Sequence, residues 1–265
     1  MKPLVSALAA AALGAIAPAA ADDYASDWAR VSKAEARLVA GAPGQAAVEV
    51  RLAPGAITYW RNPGDSGAPP RFDFGGSHNL ARAEPSFPAP KRIAEPDGSE
   101  AFGYDGAVAF PIAIAAADAN QPVELRLKFD YAVCEKLCLP ARADLTLTLP
   151  QGGASPYADE IVAAAATVPG ASDLGALGGA LEATGADAWR LCVQAQPGAA
   201  RDLFIEAPEG WWFATKAATA ADGRACFALE LQQKPDGAAL PVDVRATLTG
   251  GAASREFPLA VAAKP

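Results

Sequence analysis

The chain has 265 residues and carries 22 basic against 30 acidic side chains, a formal charge of −8. This acidic balance argues against nucleic acid and anionic membrane surfaces as partners. A single histidine, His78, and a single methionine, Met1, leave few imidazole or thioether ligands. That removes most metal chemistry, and any Ser-His-Asp or Cys-His site would rest on His78 alone.

The first residues read as an export signal. Lys2 supplies a positive start, residues 4–16 are almost continuously apolar, Pro18 breaks the run, and Ala19-Ala20-Ala21 gives a small-residue cleavage site before Asp22. The apolar run is shorter than the ~20 residues a spanning helix needs. The expectation is therefore a signal peptide over 1–21 and a periplasmic mature protein without direct membrane insertion.

Beyond the signal, short strands alternate with Pro- and Gly-marked turns. Val48, Val50 and Leu52 fall on one face, and Tyr59-Trp60 follow the Pro54-Gly55 turn. Phe72 and Phe74, then Val108, Phe110, Ile112 and Ile114, repeat the period of two. The clearest strand places Val123, Leu125, Leu127, Phe129, Tyr131 and Val133 on one side, with Glu124, Arg126, Lys128 and Asp130 on the other. Leu145, Leu147 and Leu149 continue the pattern. Period-two runs separated by turns predict an all-β sandwich. Ser155 as N-cap, Pro156 in the first turn and the early acids Asp159 and Glu160 predict a short helix, which Pro169-Gly170 ends. Alternation resumes at Trp189, Leu191 and Val193, at Phe227, Leu229 and Leu231, and at Val242–Leu248 and Phe257–Val261. The expected organisation is a first sandwich over 22–150, a helix and linker over 151–180, and a second, smaller β-sandwich over 181–265.

Four cysteines in an oxidising compartment suggest disulfides. Sequence distance favours Cys134–Cys138 and Cys192–Cys226, one bridge in each half. Strand register puts Cys134 on the face of Arg126, Lys128 and Asp130, outward and exposed or partly covered, with Cys138 on the hairpin turn beyond it. A bridge over three intervening residues removes little unfolded-state entropy and is a weak staple. Accessible short bridges suit thiol–disulfide exchange, although a structural role for the pair remains open. So does a soft-metal role holding Cu(I), for which further His or Met ligands are wanting. Lys136 between the cysteines favours a thiolate and Glu135 opposes one. Cys192 and Cys226 lie opposite the large apolar residues of their strands and are expected to form a structural disulfide. Trp211-Trp212-Phe213 forms an aromatic patch that is expected to pack against the sandwich.

The run Tyr131-Ala132-Val133-Cys134-Glu135-Lys136-Leu137-Cys138-Leu139-Pro140 resembles the periplasmic N-terminal domain of the thiol:disulfide interchange protein DsbD, and is more similar still to its ScsB-like relatives. Residues 59–70, with Trp60-Arg61-Asn62-Pro63-Gly64-Asp65 and Pro69-Pro70, resemble a signature of the same relatives, as do residues 87–92 and Gly103-Tyr104-Asp105-Gly106. The resemblance implies an immunoglobulin-like sandwich whose catalytic pair, Cys134 and Cys138, relays reducing equivalents from a membrane electron donor to periplasmic thioredoxin-like proteins, as a protein-disulfide reductase component without cofactor or metal. It also implies a cap loop at residues 100–104, making Phe102 and Tyr104, together with Tyr59 and Trp60, candidate shields of the active site. The sequence shows neither the family's membrane domain nor its thioredoxin-like domain, so the donor is expected to be a separate polypeptide. The alternative is a non-catalytic binding or assembly module with structural disulfides, or a copper-handling protein.

Overall fold

A computed structural model of the protein describes residues 23–65, 67–95, 98–194, 202–221, 223–250 and 253–264. The expected signal segment, residues 1–21, lies outside them. Among the described residues no helix is long and apolar enough to cross a membrane.

The described residues of the first part of the chain form eleven strands: β1 (Ala29–Val31), β2 (Ala34–Ala40), β3 (Gln45–Leu52), β4 (Ile57–Gly64), β5 (Arg71–Asp73), β6 (Leu80–Pro85), β7 (Lys91–Ala94), β8 (Glu100–Asp105), β9 (Ala107–Ala116), β10 (Glu124–Cys134) and β11 (Cys138–Thr148). They form an immunoglobulin-like β-sandwich. One sheet has the order β1-β2-β3-β9-β6, and the other β11-β10-β4-β8-β7 with β5 also paired to β10. The alternation in β10 is realised directly: Leu125, Leu127, Phe129, Tyr131 and Val133 are buried in the core between the sheets. Phe72 and Phe87 pack edge-on against Phe110, and Phe72 lies 4.9 Å from Phe129. Each fully buried side chain among them, such as Leu125, Phe110 or Phe129, contributes roughly 1.5–3 kcal/mol.

One helix, α1 (Ala158–Ala166), follows. Its N-cap is Tyr157 rather than Ser155. Ser155 instead makes the turn before the helix, accepting from the Tyr157 N–H at 3.0 Å and donating to the Ala40 carbonyl at 2.5 Å. The helix lies on the first sandwich, with Ile161 buried against Val39 and Ala47. Glu160 meets Glu49 of β3. Burial, and then the neighbouring Glu49 carboxyl, hold the Glu160 carboxyl above its ordinary range. An acid with a raised folded pKa gives a fold that is most stable below the unfolded value and loses stability as pH rises through the folded one. Glu160→Gln is expected to raise the melting temperature at about pH 7, with the gain over wild type fading toward about pH 4, as read by thermal melts across that range.

The second part contains β12 (Gly170–Ala171), β13 (Ala180–Ala183), β14 (Ala188–Gln194), β15 (Asp202–Glu206), β16 (Trp212–Ala221), β17 (Arg224–Gln233), β18 (Val242–Thr249) and β19 (Arg255–Val261). Two four-stranded sheets, β12-β19-β18-β15 and β13-β14-β17-β16, enclose a separate core that includes Trp189, Leu191, Phe227, Val244 and Phe257. The glycine-containing stretch after α1 is not a bare connector, because Gly170–Ala171 pairs in parallel with β19.

The two sandwiches meet at a mixed aromatic and ionic junction. Phe204 of β15 is fully buried, and it packs into the first core rather than the second. Its ring lies 4.8 Å from Phe102 and 5.9 Å from Trp60. Trp212 reaches across as well, stacking on Phe102 at 6.4 Å, while Trp211 and Phe213 pack with the second core. Arg61 forks onto Glu206 at 2.8 and 2.7 Å and also pairs with Glu256. Arg92 forks onto Asp202 with both bonds at 2.9 Å, and further donates to Glu100, the Leu203 carbonyl and Thr215. Its side chain is only 15% exposed. Removing one partner of a largely buried pair strands the other, so Arg92→Ala is expected to cost about 3 kcal/mol in urea unfolding. Arg92→Lys recovers only part of this, because an ammonium cannot make the planar fork.

Candidate functional site: a disulfide at a hairpin tip

The β10–β11 hairpin carries the first cysteine pair. Its antiparallel ladder runs without interruption from Glu124↔Thr148 to Cys134↔Cys138, leaving Glu135, Lys136 and Leu137 as the turn. The two cysteines are thus the last directly opposed pair, their Cα atoms are 4.0 Å apart, and their sulfurs are bonded. On its other edge Cys134 pairs with Ile57 of β4, and the Thr58 hydroxyl donates to the Ala132 carbonyl at 2.8 Å. The hairpin tip is therefore held by a neighbouring strand on one side.

Register places Cys134 on the outer face of its sheet, as the alternation requires, but the side chain is only 3% exposed. The correction to the expected exposure has a local cause. Tyr59, Ala101, Ala132 and Cys134 form a small apolar cluster on that outer face, flanked by Ile57 and Ile93. Register fixes which face a residue takes, not what lies on that face. Cys138, by contrast, is exposed. Leu137 and Leu139 on either side of it are exposed too, at 71% and 40%. A groove of about 490 Å³ opens beside Cys138, between the Gly67–Pro69 segment and the start of β11. Tyr131 lines it, and burial pushes the Tyr131 phenol up to about 12.

Of the four aromatic residues expected to shield the pair, one touches it. The Tyr59 hydroxyl lies 2.7 Å from Cys134 Sγ and 3.3 Å from Cys138 Sγ. Its ring is fully buried, and the chain after β4 folds down onto it at Gly67. A Cβ on Gly67 would stand 2.3 Å from the Tyr59 ring, and the backbone there has φ +102°, so only glycine fits. Trp60, one residue on, points to the opposite face, into the sandwich core and toward Phe204. Residues 100–104, expected as a cap loop, lie instead in strand β8, paired on both sides by β4 and β7. Phe102 and Tyr104 alternate inward from it: Phe102 packs at the junction between the sandwiches, and the Tyr104 hydroxyl donates to the Pro88 carbonyl at 2.8 Å. The covering function expected of that loop falls to Tyr59 and the residues around Gly67. The resemblance signature around Trp60 and Pro69-Pro70 brackets this segment, but the role of Gly67 was not visible without its contact.

Charges around the tip are arranged unevenly. Glu135 pairs with Lys33 at 3.3 Å, which engages the carboxylate expected to oppose a thiolate, while Lys136 is exposed. His78 is a solvated side chain 3.9 Å from Glu124, on the far end of β10 from the cysteines. Among the described residues no group of three or more His, Cys, Asp or Glu side chains converges on a common point.

Cys192 and Cys226 are bonded across β14 and β17, where they are directly opposed in the ladder. They lie on the side of those strands away from Leu191, Val193, Phe227 and Leu229, and their burial is intermediate. The loop they close spans 34 positions, against 4 for Cys134–Cys138.

Residues 26–150 match the family model of the thiol:disulfide interchange protein DsbD, N-terminal. No curated protein matches the sequence. Among solved structures, the fold is similar to the N-terminal periplasmic domain of ScsB from Proteus mirabilis, with a TM-score of 0.71 at 19% identity, covering 91% of this chain and 100% of that one. The family match over residues 26–150 makes this segment a relative of the DsbD N-terminal domain, and the chain as a whole is built like the ScsB domain.

Proposed function

We propose that this protein is a periplasmic thiol–disulfide carrier in which Cys138 exchanges with partners and Cys134 resolves the mixed disulfide. The observation that carries the reading is the asymmetry of the pair: Cys138 is exposed between two exposed leucines, while Cys134 is buried beneath Tyr59. Attack on a partner disulfide needs an accessible thiolate, and only Cys138 offers one.

In the reduced protein the Cys138 thiolate attacks one sulfur of a partner disulfide. The partner's S–S bond breaks, its second sulfur leaves as a thiolate, and Cys138 is joined to the first. The Cys134 thiolate then attacks Cys138 Sγ. The intramolecular bridge closes and the partner's first sulfur leaves as a thiolate. Two electrons pass from the cysteine pair to the partner, and the protons lost by the two cysteines balance those taken up by the two new thiols. The family relationship supports thioredoxin-like proteins as partners and a separate membrane-embedded donor that reduces the bridge again. The exposed Leu137 and Leu139 supply apolar contact area for such a partner at the point of exchange.

Trapping in periplasmic extract tests this. Cys134→Ser leaves Cys138 free to attack and prevents resolution, so reductant-sensitive adducts with thioredoxin-like proteins are expected. Cys138→Ser leaves only the buried thiol and is expected to capture little. An absence of adducts from Cys134→Ser would favour a binding or assembly module with two structural bridges. Equal capture by both variants would contradict the assignment of roles.

A further inference from the structure

Burial of Cys134 creates a difficulty for the exchange just described. A thiol in apolar surroundings resists ionisation, because burial disfavours the charged form. Yet Cys134 must attack as a thiolate to close the bridge. The cluster that covers it is Tyr59, Ala101 and Ala132, with Ile57 and Ile93 beside them, and the polar atom set against the sulfur is the Tyr59 hydroxyl.

Neither sulfur of a disulfide carries a proton, so in the oxidised protein the Tyr59 hydroxyl is the donor in both contacts, at 2.7 Å to Cys134 Sγ and 3.3 Å to Cys138 Sγ. A disulfide sulfur is a weak acceptor, whereas a thiolate is charged and accepts far more strongly. The same hydroxyl therefore stabilises the open, charged form more than the closed one. Gly67 seals the arrangement. Its missing side chain lets the backbone rest on the Tyr59 ring, which fixes the hydroxyl over the sulfurs and keeps the ring out of water.

We propose that the Tyr59 hydroxyl is a catalytic hydrogen-bond donor that holds the negative charge of the buried Cys134 sulfur while the bridge is open. In the mixed disulfide it donates to the Cys134 thiolate. As Cys134 attacks Cys138 Sγ, the charge passes to the departing partner sulfur, and the hydrogen bond relaxes to the weaker one seen in the closed bridge. The phenol keeps its proton throughout, so atoms and electrons balance as in the exchange itself. The proposal rests on the carrier reading but is measured without any partner protein.

The test is Tyr59→Phe, which removes the hydroxyl and leaves the ring under Gly67. In a Cys138→Ser background, the thiolate absorbance of Cys134 is titrated against pH with and without Tyr59→Phe. The expected result is a Cys134 pKa at least one unit higher without the hydroxyl, a tenfold loss of thiolate at a given pH below it. In the two-cysteine protein, a thionitrobenzoate adduct formed on Cys138 reports the resolving step as coloured leaving group is released. Release is expected to slow about tenfold near neutral pH in Tyr59→Phe and to recover as pH rises. Tyr59→Leu, with circular dichroism and melting temperature followed alongside, separates loss of the hydroxyl from loss of the fold: it should slow release no less than Tyr59→Phe. An unchanged Cys134 pKa together with unchanged release would overturn the proposal. Failure to trap any partner with Cys134→Ser would overturn the carrier reading while leaving this measurement intact.

Discussion

Replacing Cys138 with serine is expected to abolish thiol–disulfide exchange, while replacing Cys192 and Cys226 together leaves exchange intact and lowers stability. The two bridges differ in loop length and setting, though both join directly opposed strand residues. The chain-entropy model gives the 34-position Cys192–Cys226 loop about 3–4 kcal/mol of stabilisation and the 4-position Cys134–Cys138 loop only about 2 kcal/mol. Opening the short bridge also happens at a hairpin tip already held by the β10–β11 ladder and by β4, so the fold survives it. The measurements are turnover of a model disulfide substrate and urea unfolding, made on the same variants. A Cys138→Ser protein that retained turnover would contradict the assignment. So would a Cys192→Ala, Cys226→Ala protein that lost turnover while still folded.

Phe204→Ala is expected to be the most damaging single truncation at the junction, costing about 3–5 kcal/mol of unfolding free energy in urea. The side chain is fully buried and leaves the second sandwich to fill a place in the first core. It meets Phe102 and Trp60 edge-on, and the Arg92 guanidinium lies 5.3 Å from its ring centre. Truncation leaves a void bounded by large aromatic rings that cannot collapse without moving β4 and β8. Those two strands also carry Tyr59 and Ala101 on their outer faces, against Cys134. Loss of Phe204 is therefore expected to reach the redox site as faster alkylation of Cys134 in the reduced protein. A cost below about 1 kcal/mol would mean that the junction is not a continuation of the first core.

Much of the sandwich was legible because most strands have one wet face. In β10 and β11 the odd-numbered residues are apolar and the even-numbered residues between them are largely polar, so the period and the facing of both strands could be read; the boundary could not, since Cys138, expected on the turn, is the first residue of β11 and directly opposes Cys134. Legibility fails where both faces are covered. Leu203, Phe204 and Ile205 are all buried, because Phe204 faces the first core while its neighbours face the second. With no alternation left, β15 was not distinguishable from loop. Tyr59 and Trp60 are a second case: two adjacent aromatics, both fully buried, take opposite faces of one sheet. The resemblance implied a shared role as shields, and only the register separates the residue on the disulfide from the one in the core. Phe102 and Tyr104 share the inner face of β8, which an expected loop at residues 100–104 could not reveal. The ionic part of the junction joins residues more than a hundred positions apart, such as Arg61 with Glu206 and Arg92 with Asp202, and no local pattern announces such pairs. The cysteine pair itself was the most legible part of the site, since spacing placed it at a turn and register gave its face. Its burial asymmetry depends on Tyr59, 75 positions from Cys134, and needed the fold.

The reduction potential of the Cys134–Cys138 bridge tests the central claim most directly. Equilibration of the protein with glutathione buffers, read by alkylation and mass of the peptide containing both cysteines, gives the value for this pair separately from Cys192–Cys226. The carrier reading predicts a potential well above about −300 mV for Cys134–Cys138, within reach of biological thiol donors, and one below that value for Cys192–Cys226. A Cys134–Cys138 potential below about −300 mV, equal to that of a structural bridge, would contradict it.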